Sequence, residues 1–224
     1  MRNVYFFKTV FISVLLLIIA GCSNGPTPEE EIYAVLEDVV KLEESFKEQQ
    51  NPLVELEQKE KELYDEIIAL SMKDFDKIVT LSKEAQSLVE ERKERIDTEY
   101  ESIKESKLKF DTVLESIGKL ENEDLEQDAM ELVDLMTNRY NSYDELYESY
   151  NEAVQFDKEL YVLFQDKELE IENLQEQIDT INKSYDKVIA ANEKFNDYTE
   201  SYNQAKIKFY ENAGLEVVYE DSAE

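Results

Sequence analysis

The side chains able to do chemistry in this 224-residue chain are unevenly chosen: there is no histidine and a single cysteine, against 54 Asp and Glu. Without histidine, a Ser–His–Asp triad and the Glu-x-x-His di-iron sites of some helical bundles are excluded. The commonest zinc ligand is missing as well. No glycine-rich phosphate loop or calcium-loop pattern occurs, so no cofactor or metal site is expected. Paired carboxylates can serve as acid and base, and Glu29-Glu30-Glu31 offers neighbours of that kind. With so many acids, close pairs arise by chance, and solvated helix faces account for them. No catalytic residue is assigned.

Three other features stand above this background. In RYNSYDELYESY, Tyr140, Tyr143, Tyr147 and Tyr150 recur at helical spacing. Tyrosine rings on one face can stack on sugars and would make a glycan or partner face. They also suit a core seam whose hydroxyls reach the rim. Asn192 falls at a seam position, where a buried Asn fixes register and pairing. Arg92 interrupts an apolar stripe, either snorkelling to a bundle edge or facing a partner.

The single cysteine, Cys22, cannot form an internal disulfide. Residues 1–8 carry Arg2 and Lys8 and no acid, and residues 9–20 are apolar apart from Thr9 and Ser13. A basic start, a short apolar core and small residues after it make a secretory signal peptide. The apolar run is shorter than the ~20 residues of a spanning helix. Ile19-Ala20-Gly21-Cys22 resembles the bacterial lipoprotein signal, or lipobox. That resemblance implies diacylglyceryl transfer to the thiol, cleavage before Cys22, and two acyl chains (palmitate or similar) as a stable membrane anchor. The alternative is an uncleaved signal anchor with an incidental cysteine.

The whole chain carries a formal charge of −30. Loss of residues 1–21 removes two positive charges and no acid, leaving −32. Nucleic-acid binding needs a basic footprint and is excluded, as is an electrostatic hold on anionic lipid. Leu, Ile, Val and aromatics recur throughout, unlike a disordered acidic tail.

Gly and Pro punctuate little of the chain after the SNGPTP stretch, which reads as a tether. Apolar residues recur at alternating steps of three and four, the period of helices packed along a seam. One stripe runs from Ile32 to Leu70, broken by Gln49 and Glu60. Another runs from Val133 to Phe164, broken by Asp157. A third runs from Ile171 to Phe209, and a weaker one from Ile78 to Ile117 contains Arg92. These predict four helical segments, at 29–70, 74–121, 124–165 and 167–213, each on the order of 65 Å long. Short connections force consecutive segments antiparallel. The expected fold is all-α, an elongated antiparallel bundle of coiled-coil-like helices. Pro52 lacks an N–H and kinks or breaks a helix; because the stripe keeps its phase across it, one kinked helix is expected. Gly214 is placed to end the last helix. The expected organisation is signal peptide 1–21, lipidated tether 22–28, bundle domain 29–213 and acidic tail 214–224.

The stretches QQNPLVELEQKEKELYDEII (49–68), DFDKIVTLSKEA (74–85), YDELYESY (143–150) and IDTINKSYDKVIAANEKFNDYTESYNQAK (178–206) resemble the YkyA-like family of cell-wall binding lipoproteins from low-GC Gram-positive bacteria. The likeness covers about residues 30–213 and the lipobox. It implies a lipoprotein on the outer face of the cytoplasmic membrane. The family label implies wall binding and supplies no catalytic residues, so only Cys22 carries over. The function expected is a non-catalytic binding or scaffolding module, anchored to the membrane through lipid at Cys22, whose partner is the wall or an envelope protein. The alternatives are an adaptor or regulator of another envelope protein, and a carboxylate-based hydrolase of wall glycan.

Overall fold

A computed structural model describes residues 14–15, 25–215 and 218–219. The fold is all-α. The helices are α1 (Pro28–Leu42), α2 (Glu44–Ala69), α3 (Phe75–Phe110), the short α4 (Val113–Ile117), α5 (Glu123–Leu163) and α6 (Ile171–Asn212). The strand content described is a two-residue antiparallel ladder of β1 (Val14–Leu15) with β2 (Val218–Tyr219). β1 lies within the stretch read as a cleaved signal, so on that reading the ladder belongs to the uncleaved chain. No helix among the described residues is long and apolar enough to cross a membrane.

Helix ends follow local chemistry where the sequence provides it. Thr27 caps α1: its Oγ1 accepts from the Glu30 N–H, and the Glu30 carboxylate accepts from the Thr27 N–H. This reciprocal box satisfies two otherwise orphaned donors, and Pro28 is helical at the first position, inside the expected tether. Asn122 Oδ1 accepts from the N–H groups of Asp124 and Leu125 to open α5. At the end of α6, Gly214 has φ +67°. The Gly214 N–H donates to Glu211 C=O and the Leu215 N–H to Tyr210 C=O, which is the Schellman closure expected of a glycine there.

Three boundaries differ from the sequence expectation. The first segment is interrupted at Glu43, not at Pro52: α2 continues through Pro52. The carbonyl that Pro52 leaves without a donor belongs to Glu48, which is solvent-exposed, so water can replace the lost bond. At Glu43 the chain leaves helical geometry (φ −87°, ψ 4°), and Ser102 of α3 donates to the Leu42 carbonyl at 2.6 Å. The second segment breaks after Phe110, where Thr112 donates its hydroxyl to the Lys109 carbonyl and competes with the helical ladder. α6 begins at Ile171 rather than 167, because Asp166 Oδ1 accepts from the Glu168 N–H in a turn that occupies those residues.

The described residues fall into two compact units, and α3, α5 and α6 each contribute to both. Unit 1 contains Phe46–Tyr100 and Asp144–Asn192. Its ion pairs and hydrogen bonds fix an antiparallel order: Glu66 with Lys77 and Gln49 with Arg95 join α2 to α3, Glu90 with Lys158 and Asp97 with Tyr147 join α3 to α5, and Glu152 with Lys187 joins α5 to α6. Its core includes Leu53, Leu56, Ile67, Ala85, Val89, Tyr150, Val154, Tyr161, Ile181 and Val188.

Unit 2 contains residues 25–45, 101–143 and 193–215 with the β-ladder. Here Asp38 with Lys109 joins α1 to α3, Glu31 with Lys119 joins α1 to the residues just after α4, and Asp128 with Lys208 joins α5 to α6, again antiparallel. Ile32, Leu36, Phe110, Ile117, Met136, Tyr140, Tyr143, Phe195 and Phe209 are buried within it.

Candidate functional site

Cys22, the lipidation candidate, lies outside the described residues. Five residues later, the capped start of α1 at Thr27 opens the helical part of the chain.

The tyrosine ladder is mostly core. Tyr140, Tyr143 and Tyr150 are buried, so three of the four rings are not available for stacking on a sugar, and the face expected as one alternative is a packing seam. Tyr143 packs against Phe195, with ring centroids 5.2 Å apart. Tyr147 alone is half-exposed. It stacks on Tyr100 at 3.9 Å and 7° between planes, and its hydroxyl donates to Asp97 at 2.8 Å. Asn192 is half-buried.

Arg92 neither snorkels to an edge nor turns to a partner. It is 1% exposed, at the centre of a polar cluster in unit 1 fed by four helices. Its Nη1 donates to Glu60 of α2 and, at 3.1 Å, to Asp157 of α5. Its Nε donates to the Tyr150 hydroxyl at 3.0 Å and its Nη2 to the Tyr185 hydroxyl at 2.7 Å. Each tyrosine passes its own proton onward: Tyr150 to Glu57 at 2.8 Å, Tyr185 to Asp157 at 2.5 Å, and Tyr161 to Glu60 at 3.2 Å. Burial raises the Glu57 carboxyl, with Arg92 opposing it. Burial also raises Asp157, with the Glu60 carboxylate adding to the effect. Glu60, Arg92 and Asp157, which interrupt three apolar stripes in the sequence, meet here.

Unit 2 has its own cluster. Arg139 of α5 binds both oxygens of Glu43 at 2.8 and 2.7 Å. Its Nε donates to Thr199 at 3.0 Å, and its guanidinium lies 4.7 Å from the Phe195 ring centroid. Ser106 donates to Glu43 at 2.6 Å and so must accept from the Tyr140 hydroxyl, 2.7 Å away. A planar fork meeting a carboxylate in this way is the strong, directional form of an ion pair. Further along α6, Lys206 is buried, and its ammonium pKa is lowered by desolvation against the pull of Glu37 and Glu43. Glu37 is raised, chiefly by burial, and accepts from the Tyr210 hydroxyl at 3.1 Å.

These arrangements suit holding helices together more than transforming a substrate. The carboxylates of both clusters are occupied by guanidinium and hydroxyl groups. Among the described residues no group of His, Cys, Asp or Glu is arranged to hold a metal ion. On the surface, many lysines are engaged by acids: Lys77, Lys109, Lys119, Lys158, Lys187 and Lys208 each reach a carboxylate on another part of the fold. Such exposed pairs contribute only ~0–1 kcal/mol each. Their larger effect is to cancel the positive charge that an anionic ligand would need.

Comparison with known proteins gives concordant matches. The YkyA family model, described as "Putative cell-wall binding lipoprotein", matches residues 27–212. A Bacillus subtilis (strain 168) protein named "Uncharacterized lipoprotein YkyA" is 37% identical over 203 residues, spanning 91% of each chain. A crystallised conserved protein of unknown function from Staphylococcus aureus superposes with a TM-score of 0.68, covering 84% of this chain and 97% of its own at 20% identity. At that identity the match speaks to the fold alone.

Proposed function

Since the chain belongs to the YkyA family, described as "Putative cell-wall binding lipoprotein", we propose that it is a lipid-anchored, non-catalytic binding or scaffolding module on the extracytoplasmic face of the cell membrane. The observation that carries this reading is the juxtaposition of a lipobox cysteine with a family match that begins at residue 27. The thiol of Cys22 takes the lipid. Residues 23–26 span the gap to the Thr27 cap, and the helical part beyond is held out from the membrane surface. Engagement of the buried acids by Arg92 and Arg139 supports a binding role over a carboxylate-based glycan hydrolase, which needs two carboxyl groups facing a substrate groove.

The acidic surface bears on the choice of partner. Gram-positive walls are rich in anionic polymers, and a mature chain of net charge −32 meets them with like-charge repulsion that ~8 Å screening reduces without removing. The engaged lysines deepen that mismatch and favour a second reading, in which lipid does the localising and an envelope protein is the target. Divalent cations bridging carboxylates to wall phosphates would reconcile wall binding with this charge.

Two experiments test the proposal. Labelled fatty acid should enter the wild-type protein and not Cys22→Ala, and the variant should leave the membrane fraction; label persisting in the variant refutes anchoring at Cys22. In sedimentation with purified walls, binding should be weak in low salt and strengthen with calcium or added salt. Absence of binding under every condition, together with a cross-linked envelope protein recovered from cells, transfers the role to the protein partner.

A further inference from the structure

In unit 1, three carboxylates converge on a single guanidinium: Glu57 and Glu60 of α2 and Asp157 of α5 around Arg92 of α3. The other titratable groups facing this point are the phenols of Tyr150 and Tyr161 on α5 and Tyr185 on α6. Arg92 is the cation that all three acids share. The three acids are not equivalent. The Glu57 side chain keeps 18% of its surface and lies farther out, 3.7 Å from Arg92, although burial raises its carboxyl as well. Glu60 and Asp157 have 4% and 2%, and both accept from the same nitrogen, Arg92 Nη1. Two buried carboxylates on one N–H-bearing nitrogen carry a charge that one guanidinium cannot balance. In a dry site the second negative charge is costly, and carboxylates sharing a site retain a proton between them.

We propose that the buried Asp157 carboxyl keeps its proton beside the Glu60–Arg92 ion pair, and that its release makes the packing of unit 1 weaken as pH rises through the mildly acidic range. The proton keeps Asp157 neutral against a guanidinium already bound by Glu60. When it leaves, a second buried anion sits on Arg92 Nη1, and the cluster must admit water or loosen its helices. The elevated Asp157 carboxyl, pushed up to about 7 by burial and then by Glu60, agrees with this reading.

The direction follows from linkage. A carboxyl whose folded pKa lies above its unfolded value near 4 stabilises the folded state at low pH, and that stability is lost as pH rises toward the folded value. One proton retained by the folded state changes the folded-to-unfolded ratio by up to about tenfold per pH unit between roughly pH 4 and pH 7. Glu31, Asp38 and Asp128 are lowered by their lysine partners. They lose stability only when pH falls through their depressed values, so they lie outside the window from pH 5 to 8.

The test uses the full-length chain in non-ionic detergent. Carbon-13 carboxyl resonances, assigned in the wild-type protein by through-bond correlation, should show Asp157 still protonated at pH 6 and titrating well above the ordinary carboxylate range. Urea unfolding monitored at pH 5, 6, 7 and 8 should give a folded-to-unfolded ratio that falls with pH in the wild type. Asp157→Asn, which is neutral at every pH, should remove up to about tenfold per pH unit of that fall. If Asp157 is ionised at pH 6, or if Asp157→Asn retains the wild-type pH slope, the proposal is wrong. The resonances are read on wild-type protein at each pH, so the proposal stays testable even if a variant does not fold.

Discussion

Removing Arg139 or Glu43 alone should destabilise unit 2 far more than removing both. Glu43 ends α1, and its two oxygens accept from Arg139 at 2.8 and 2.7 Å, with Ser106 adding a third bond at 2.6 Å. Both residues are 2% exposed. Arg139→Met leaves the Glu43 carboxylate buried with one hydroxyl donor. Glu43→Met leaves the guanidinium with Thr199 and the Phe195 ring. A buried charge stripped of its partner costs about 3–5 kcal/mol, whereas an apolar replacement of the whole pair is often close to neutral. Ser106 retains Tyr140 as a partner, and Thr199 also donates to the Phe195 carbonyl, so the double variant orphans little. For a chain of this size each kcal/mol shifts Tm by about 2–4 °C, so each single variant should lose about 6–20 °C. Urea unfolding followed by circular dichroism, run as a double-mutant cycle, gives the coupling. Two independent losses that add to within ~0.5 kcal/mol, or single losses below ~1 kcal/mol, would refute the idea that this pair anchors the α1–α2 junction. The exposed Glu152–Lys187 pair is the internal standard, with a coupling of ~0–1 kcal/mol.

Other predictions concern helix ends. Thr27→Ala removes the cap of α1 and should cost about 0.5–2 kcal/mol in chemical denaturation; an unchanged midpoint would mean that solvent serves the freed N–H equally well. Pro52→Ala restores a helical donor within α2 and should leave thermal stability unchanged or raise it, by up to ~3 kcal/mol. A clear fall in Tm would show that the proline is needed for a turn. Gly214→Ala should cost about 1–2 kcal/mol, and since nothing lies within 4 Å of the added methyl, the whole cost is backbone. Rescue by Asn, which tolerates the left-handed region, distinguishes this from a packing effect in the same melting assay.

The helices were legible because their signal is distributed. A stripe at steps of three and four survives single interruptions, and Gly214 and Asn122 mark ends with local chemistry. The break at Glu43 has no local signal: in LEESF nothing disfavours a helix, and the chain turns where a carboxylate is drawn in by Arg139, 96 residues away. In unit 1 the interruptions Glu60, Arg92 and Asp157 were visible one by one. Their meeting depends on helix register, which single-stripe periodicity does not supply. Arg139 was missed for a different reason. The stripe through Met136 and Tyr140 is narrower than the face that α5 buries, where Arg139 and Tyr140, and likewise Ser142 and Tyr143, are adjacent and both enclosed. The tyrosines were ambiguous because rings at helical spacing suit a seam and a sugar platform alike, and only burial separates the two.

The tyrosine-to-carboxylate bonds also bear on how this protein responds to light. The chain has 14 tyrosines and no tryptophan, so its ultraviolet emission comes from phenol alone. Tyr147, Tyr150, Tyr161, Tyr185 and Tyr210 each donate to an Asp or Glu. An excited phenol is a far stronger acid than one in its ground state, and a carboxylate already on its O–H takes up the proton and quenches it. The folded protein should therefore glow dimly and brighten as it unfolds, with both units carrying such a reporter: Tyr147, Tyr150, Tyr161 and Tyr185 in one, Tyr210 in the other.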